Sequence, residues 1–151
     1  MLDSLVFAAA MLVPNDDTDR QFSASRPNRG VYRSLVIEAA TFPADMRGCA
    51  SRILARESGG TLNDPTSGMG ARNPSSSASG RWQFLDTSWR RPLSFHVRDR
   101  LVEFGMPVKD ARDVRSYLEA THISQWPGVI QDVGFIETVE RSGYSPWGGC
   151  P

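Results

Sequence analysis

The stretch LARESGGTL, residues 54–62, carries a helical run to a glutamate and then breaks at once into Ser-Gly-Gly. Upstream, Met46, Cys49, Ala50, Ile53, Leu54 and Glu57 recur at three- and four-residue steps, one face of an α-helix. Pro43 near the first helical position and Asp45 in the first turn mark its start, with Thr41 or Phe42 just before. Gly59 and Gly60 mark its end. Asp45, Arg47, Ser51, Arg52 and Arg56 fall on the other faces. Glu57 therefore lies at the end of the apolar stripe, where the helix emerges from the core. Apolar surroundings and the negative end of the helix dipole both disfavour its charged form, the condition a general acid needs. The alternative is a frayed helix end with a solvated carboxylate.

The chain that follows, residues 59–80, is rich in Gly, Ser, Pro and Asn and has neither a helical nor a strand period. Loops of this length inside a compact domain are uncommon and tend to be functional or disordered. The reading favoured here is a short β-ribbon or irregular wall beside a cleft. Residues 80–93, GRWQFLDTSWRRPL, crowd Trp82, Gln83, Phe84 and Trp89 against a helix start that Asp86 or Thr87 can cap. An amide between two aromatics implies a hydrogen-bond partner, and Trp82 and Trp89 cannot both share one narrow stripe with Phe84, so at least one of them is expected to face a cleft.

The remainder reads as helices over 94–105, 107–126 and 127–143, the last opening at Pro127 and closing at Gly143. Val114, Leu118 and Ile123 fall on roughly one side of the middle one. A further short helix over 31–42 precedes Pro43. His96 and His122 are isolated and read as structural or surface residues. Strand signals are few, so the class is mainly α. Residues 1–30 form a separate part: an apolar stretch from Leu5 to Val13, then a polar arm, ahead of one domain over 31–151. The apolar stretch is too short to span a bilayer and lacks the positive flank of a signal peptide, so it reads as a buried or partner-docking helix.

Composition bounds the function. The 151 residues are 40% apolar and 23% charged, with 17 basic and 17 acidic side chains and a formal net charge of zero. No global positive field draws nucleic acid or an anionic membrane surface. Neither a metal-ligand cluster nor a phosphate-cradling glycine loop stands out, so no metal and no cofactor is expected. Cys49 and Cys150 lie about a hundred residues apart and match no zinc or CxxC spacing. A long-range disulfide and two free thiols are equally open on spacing.

A helix ending in ESGG, a polar loop and then GRWQFLDTSW resembles the lysozyme-like lytic transglycosylases of bacterial cell walls. The likeness is nearest to the small domains of resuscitation-promoting factors and of phage virion and tape-measure proteins. It is specific over residues 46–60 and 80–90 and weak elsewhere. It implies an α+β lysozyme-like fold with a catalytic helix, a long cleft-lining loop or small β-ribbon, and a C-terminal helical bundle. It further implies Glu57 as catalytic acid, Ser58 as its supporting serine and Gln83 as the glutamine lining the sugar cleft. Trp82, Trp89 and Tyr144 become candidate substrate contacts. The ending SGYSPWGGC, residues 142–150, is similar to that of such domains, and its cysteine fits a disulfide back to Cys49 on the catalytic helix.

The loop between Glu57 and Gln83 is longer than usual for the family, and Arg81-Trp82 stands where a small apolar pair is usual. The implied partners are peptidoglycan glycan strands, with other virion proteins if the domain belongs to a particle. The implied place of action is the cell wall, outside the cytoplasm, virion-associated or secreted. A single carboxyl group suffices for the transglycosylase reaction. Hydrolysis by a muramidase needs a second, for which Asp64 is the first candidate and Asp86 the next, although they also read as a turn residue and a helix cap. A non-catalytic wall-binding or virion-assembly module of the same fold is the third reading.

Overall fold

The computed structural model describes residues 29–151, and the readings made for the apolar N-terminal stretch and most of the polar arm lie outside them. Helix α1, Arg29–Ala39, presents Tyr32, Leu35, Val36 and Ala39 to the interior at helical spacing. It ends before Pro43, and the buried Arg100 guanidinium donates to the Ala39 carbonyl at 2.7 Å, a cationic cap on an otherwise orphaned acceptor. Helix α2, Arg47–Ser58, starts later than the sequence predicts: residues 43–46 form a turn in which the Met46 amide donates to the Pro43 carbonyl at 3.0 Å. Ala50, Ile53 and Leu54 bury the anticipated stripe. Gly59 ends the helix in the left-handed conformation at φ 73°, its amide donating to the Ala55 carbonyl.

After a long loop, a two-residue ribbon pairs β1, Ala78–Ser79, with β2, Phe84–Leu85, antiparallel, Ala78 facing Leu85 and Ser79 facing Phe84. Helix α3, Asp86–Glu103, runs straight through Pro92, where the sequence predicts a break between residues 93 and 94. Proline removes one helical hydrogen bond. The burial of Leu93, Val97 and Leu101 on the same helix supplies the compensating packing. Helix α4, Val108–Glu119, buries Ala111, Val114 and Leu118. It stops short of the predicted 126, and Ile123 reaches the core from a separate 3₁₀ turn, Ile123–Gln125. Helix α5, Gly128–Ser142, is buried continuously from Ile130 to Thr138 and forms the centre of the molecule, against α3 and α1.

An aromatic cluster joins α5 to the ribbon and the C-terminus. Trp82 stacks on Phe135 with centroids 3.6 Å apart, and Trp147 lies 4.6 Å from Phe135 and 5.3 Å from Phe84. Cys49 and Cys150 form a disulfide with Cα atoms 5.3 Å apart, which fastens the last residues to α2. Among the described residues the class is thus mainly α with one small ribbon.

Candidate functional site

Glu57 occupies the last turn of α2, its side chain about a quarter exposed at 25%. The sequence places the neighbouring arginines elsewhere, but the structure corrects this for Arg56. Its Nε and Nη2 donate to Glu57 Oε1 at 2.9 and 2.8 Å, and Nη2 also donates to the Trp147 carbonyl at 2.7 Å. A long guanidinium stem reaches around one helical step, and the C-terminal turn holds it there. Glu57 is therefore a paired carboxylate at the rim of the core, not an isolated one in apolar surroundings.

Ser58 joins the helix to the loop. Its hydroxyl donates to the Leu54 carbonyl and accepts from the Gly60 amide, both at 3.3 Å. Gly68 packs directly on it: a Cβ at that position would sit 2.2 Å from Ser58 Oγ, and its φ of +73° is left-handed as well. Gln83 is the one described non-glycine residue at positive φ, 54°. A conformation that costs of order 1 kcal/mol persists only where its surroundings fix it. Here the amide nitrogen fixes it by donating to the Ala71 and Gly80 carbonyls, both at 2.9 Å. Its Oε1 makes no hydrogen bond among the described residues. The sequence-level inference that this amide bonds something holds, and its partner is the loop itself.

Trp82 is corrected. It is 0% exposed, stacked on Phe135, with its indole N–H donating to Asp132 Oδ1 at 2.8 Å, so it is core and cannot touch a sugar. Trp89 is partly exposed, tilted against Phe84 with centroids 5.4 Å apart and edge-on to His96 at 6.3 Å. Tyr144 is also partly exposed, at the start of the turn Ser145–Trp147. Burial and the charge of Asp45 raise its phenol pKa against the opposing effect of Arg52.

Asp64 points into its own turn. Oδ1 accepts from the Thr66 amide at 3.0 Å and from its hydroxyl at 2.6 Å, and these bonds hold the carboxyl below its ordinary pKa. It shares no hydrogen bond with Glu57. Asp86 is buried at the start of α3. Burial works against its charge, but the hydrogen bonds from Arg90 and the Ile123 amide and the nearby His122 and Arg90 charges outweigh it and lower the pKa. His122 and His96 are both in local structure: His122 caps the 3₁₀ turn, accepting from the Ser124 amide, and His96 Nδ1 meets Thr138 Oγ1 at 2.9 Å.

Two further residues are of consequence: Arg81, which the sequence marks only as a departure from a small apolar pair, and Asp132, which it does not mark. Arg81, at 0% exposure, holds the loop from within. Its Nε donates to Asp132 Oδ1 at 2.8 Å, Nη1 to the Asp64 carbonyl at 2.9 Å and the Ser67 carbonyl at 3.1 Å, and Nη2 to the Thr61 carbonyl at 2.8 Å. Asp132 is the counter-ion on α5. Burial pushes its pKa up to about 6 despite the charge and hydrogen bonds of Arg81 and Trp82. The available signal is a lone aspartate in VIQDVGFI, residues 129–136, a run otherwise fit for a core helix.

A cavity of about 220 Å³ opens beside Asp132, walled by Ile37, Phe42, Leu62, Pro65 and Val129, with Thr41 and Arg47 also at its edge. Glu57, Gln83 and Tyr144 do not line it, so it is separate from the surface around Glu57. Among known proteins the chain matches no family model, no curated protein and no solved structure.

Proposed function

We propose that this chain is a lysozyme-like domain that cleaves the β-1,4 bond between N-acetylmuramic acid and N-acetylglucosamine in bacterial peptidoglycan, as a lytic transglycosylase. The observation that supports it most is the placing of Glu57 at the junction of α2 with a loop pinned at both ends. Ser58 and Gly68 hold the near end and Gln83 the far end. A general acid must be held in place relative to its substrate, and this anchoring supplies rigidity where loops otherwise have little.

In the proposed reaction, protonated Glu57 delivers its proton to the glycosidic oxygen and the bond to C1 breaks. The resulting carboxylate then takes the proton from the muramic acid C6 hydroxyl, whose oxygen closes on C1 to give a 1,6-anhydro ring. Water is not consumed, and one carboxyl group serves as acid and then as base. Arg56, partly exposed and tethered to the Trp147 carbonyl, already pairs with Glu57, so the proposed reaction requires this pair to open as substrate binds and to re-form on the carboxylate once the proton has left. The engagement of Asp64 with Thr66 counts against a hydrolytic muramidase, because a base that positions water needs a free carboxylate oriented at the same bond. The Cys49–Cys150 disulfide suits action outside the cytoplasm, at the wall, as a secreted or virion-borne protein with glycan strands as its partner.

The test is mass spectrometry of muropeptides released from purified peptidoglycan by the wild type and by Glu57→Gln. Products ending in 1,6-anhydro-N-acetylmuramic acid, lost in the variant, are the expected result. Reducing-end products would replace the transglycosylase with a hydrolase. An absence of products from several wall types, with binding retained, would replace the enzyme with a wall-binding or assembly module.

A further inference from the structure

The cavity beside Asp132 has a polar floor that the loop does not need. Asp132 is 3% exposed, and its two hydrogen bonds, from Arg81 and from Trp82, both end on Oδ1. Oδ2 has no hydrogen bond and no ion pair among the described residues, yet it is not among their sealed, unsatisfied atoms. It therefore opens into the cavity that Asp132 lines. A buried carboxylate oxygen without a donor is costly unless something bonds it. Arg47 lines the same cavity from α2, and its only side-chain hydrogen bond among the described residues is a long one, 3.4 Å, to Asn63 Oδ1.

Between these opposite charges the walls are aliphatic and aromatic: Ile37, Phe42, Leu62 and Val129. A volume of about 220 Å³ falls below the roughly 300–1,000 Å³ of sites for drug-sized ligands, so the space fits one side-chain-sized group. A group matched to it carries an ammonium for Asp132 Oδ2, a carboxylate for the Arg47 guanidinium and an alkyl chain for the walls. A plain cation would be opposed by Arg47 and Arg81, and a plain anion by Asp132.

We infer that this cavity is a binding site for a zwitterionic amino-acid group, an aliphatic chain bearing both an ammonium and a carboxylate, with Asp132 and Arg47 as its two poles. The site goes beyond the glycan reaction and does not depend on turnover at Glu57. A free amino acid and an amine-bearing peptide of a cell wall share this chemistry.

The experiment is a titration of the ¹⁵N-labelled full chain, followed through its amide resonances, with 6-aminohexanoate, n-hexylamine and hexanoate. Saturable shifts at Thr41, Leu62 and Val129 are expected for 6-aminohexanoate, with Kd on the order of 1 mM. Each single-charge analogue should bind about tenfold more weakly, the worth of one charge-assisted hydrogen bond. In Arg47→Gln, whose side chain is exposed, 6-aminohexanoate should weaken about tenfold while n-hexylamine does not. Val129→Phe, which fills the cavity and leaves Asp132 in place, should abolish the shifts. L-lysine and an uncross-linked wall peptide are then compared: tighter binding of the peptide identifies the wall as source, and equal binding identifies the free amino acid. No saturable shift with any probe, or shifts indifferent to both variants, would overturn the inference. These readouts involve no bond cleavage, so a failure here is distinct from a failure to release muropeptides.

Discussion

Replacing Arg81 by methionine keeps much of the side chain's bulk and removes its charge and donors, and the structure says what is left behind. Asp132 Oδ1 loses its closest cation, and the Thr61, Asp64 and Ser67 carbonyls lose the donors that draw residues 61–67 against the core. Breaking one side of a buried ion pair costs about 3–5 kcal/mol, because the remaining charge stays in the interior without compensation. The Thr61 and Asp64 carbonyls keep the Ser67 hydroxyl as a donor, so the Ser67 carbonyl is the one left short and adds roughly 1–3 kcal/mol if water does not reach it. A loss of at least about 4 kcal/mol is therefore expected, a large share of the ~5–15 kcal/mol that holds a domain together.

The loss should depend on pH in a definite direction. Asp132 has its pKa raised from 3.8 to about 6 in the folded protein, so its contribution to stability is full below about 3.8 and is lost as pH rises through 6. Without Arg81 the pKa rises further, so the deficit of the variant should be largest well above pH 6, shrink as pH falls to about 6, and stay constant below it, where Asp132 is protonated in both proteins. Asp132→Asn in the same chain keeps an acceptor for the Trp82 indole and removes the stranded charge, so the double variant should regain about half the loss. Urea denaturation followed by tryptophan fluorescence measures the stabilities, and hydrogen exchange at residues 61–67 reports whether the loop has come free. A deficit under about 1 kcal/mol, or one of the same size at pH 7.5 and pH 5, would refute this account of Arg81.

Two further perturbations address the surroundings of Glu57. Cys49→Ser with Cys150→Ser opens a link across 101 residues of sequence, and the loop-entropy relation gives about 4–5 kcal/mol and a fall in Tm of roughly 15 °C. Calorimetry that finds only a few degrees of change would mean that the C-terminus is held instead by the buried Trp147 and by Arg52, whose Nε donates to the Pro151 carbonyl at 2.7 Å. Gly68→Ala puts a methyl group 2.2 Å from Ser58 Oγ at a left-handed position, for a loss of roughly 1–3 kcal/mol. Muropeptide release should fall sharply below Tm, while Gly70→Ala, with nothing within 4 Å of the added Cβ, leaves both unchanged. Equal effects of the two substitutions would show that the contact of Ser58 with Gly68 does not position the site.

What could be read in advance was whatever depends on local periodicity. The stripe of α2 and its glycine stop, the Pro127 start and the Gly143 end of α5 are set by side-chain spacing and backbone conformation, which a sequence displays. What could not be read depends on contacts between distant residues. Nothing local reports that burial of Leu93, Val97 and Leu101 carries α3 through Pro92, or that the Trp147 carbonyl turns Arg56 towards Glu57. Trp82 illustrates the same limit from the other side. The sequence left open which of the two tryptophans would face a cleft, and the partner that draws Trp82 inward, Asp132, is 50 residues further on.

Two features of this chain, the long loop between Glu57 and Gln83 and the buried arginine at position 81, account for one another. A loop this long brings many backbone carbonyls to the edge of the core, and they need donors wherever water is excluded. A small apolar residue at position 81 offers none. An arginine there offers a rigid fork of donors, and it serves the Thr61, Asp64 and Ser67 carbonyls from a single buried position. Its charge in turn requires a buried anion, which α5 provides in Asp132. The long loop, the arginine and the aspartate thus form one solution to one problem of hydrogen-bond satisfaction. Shortening the loop by deleting residues 61–67 should therefore make both charges dispensable: in that background Arg81→Leu with Asp132→Asn, which keeps an acceptor for the Trp82 indole, should be tolerated, whereas in the full-length loop the same pair should unfasten residues 61–67.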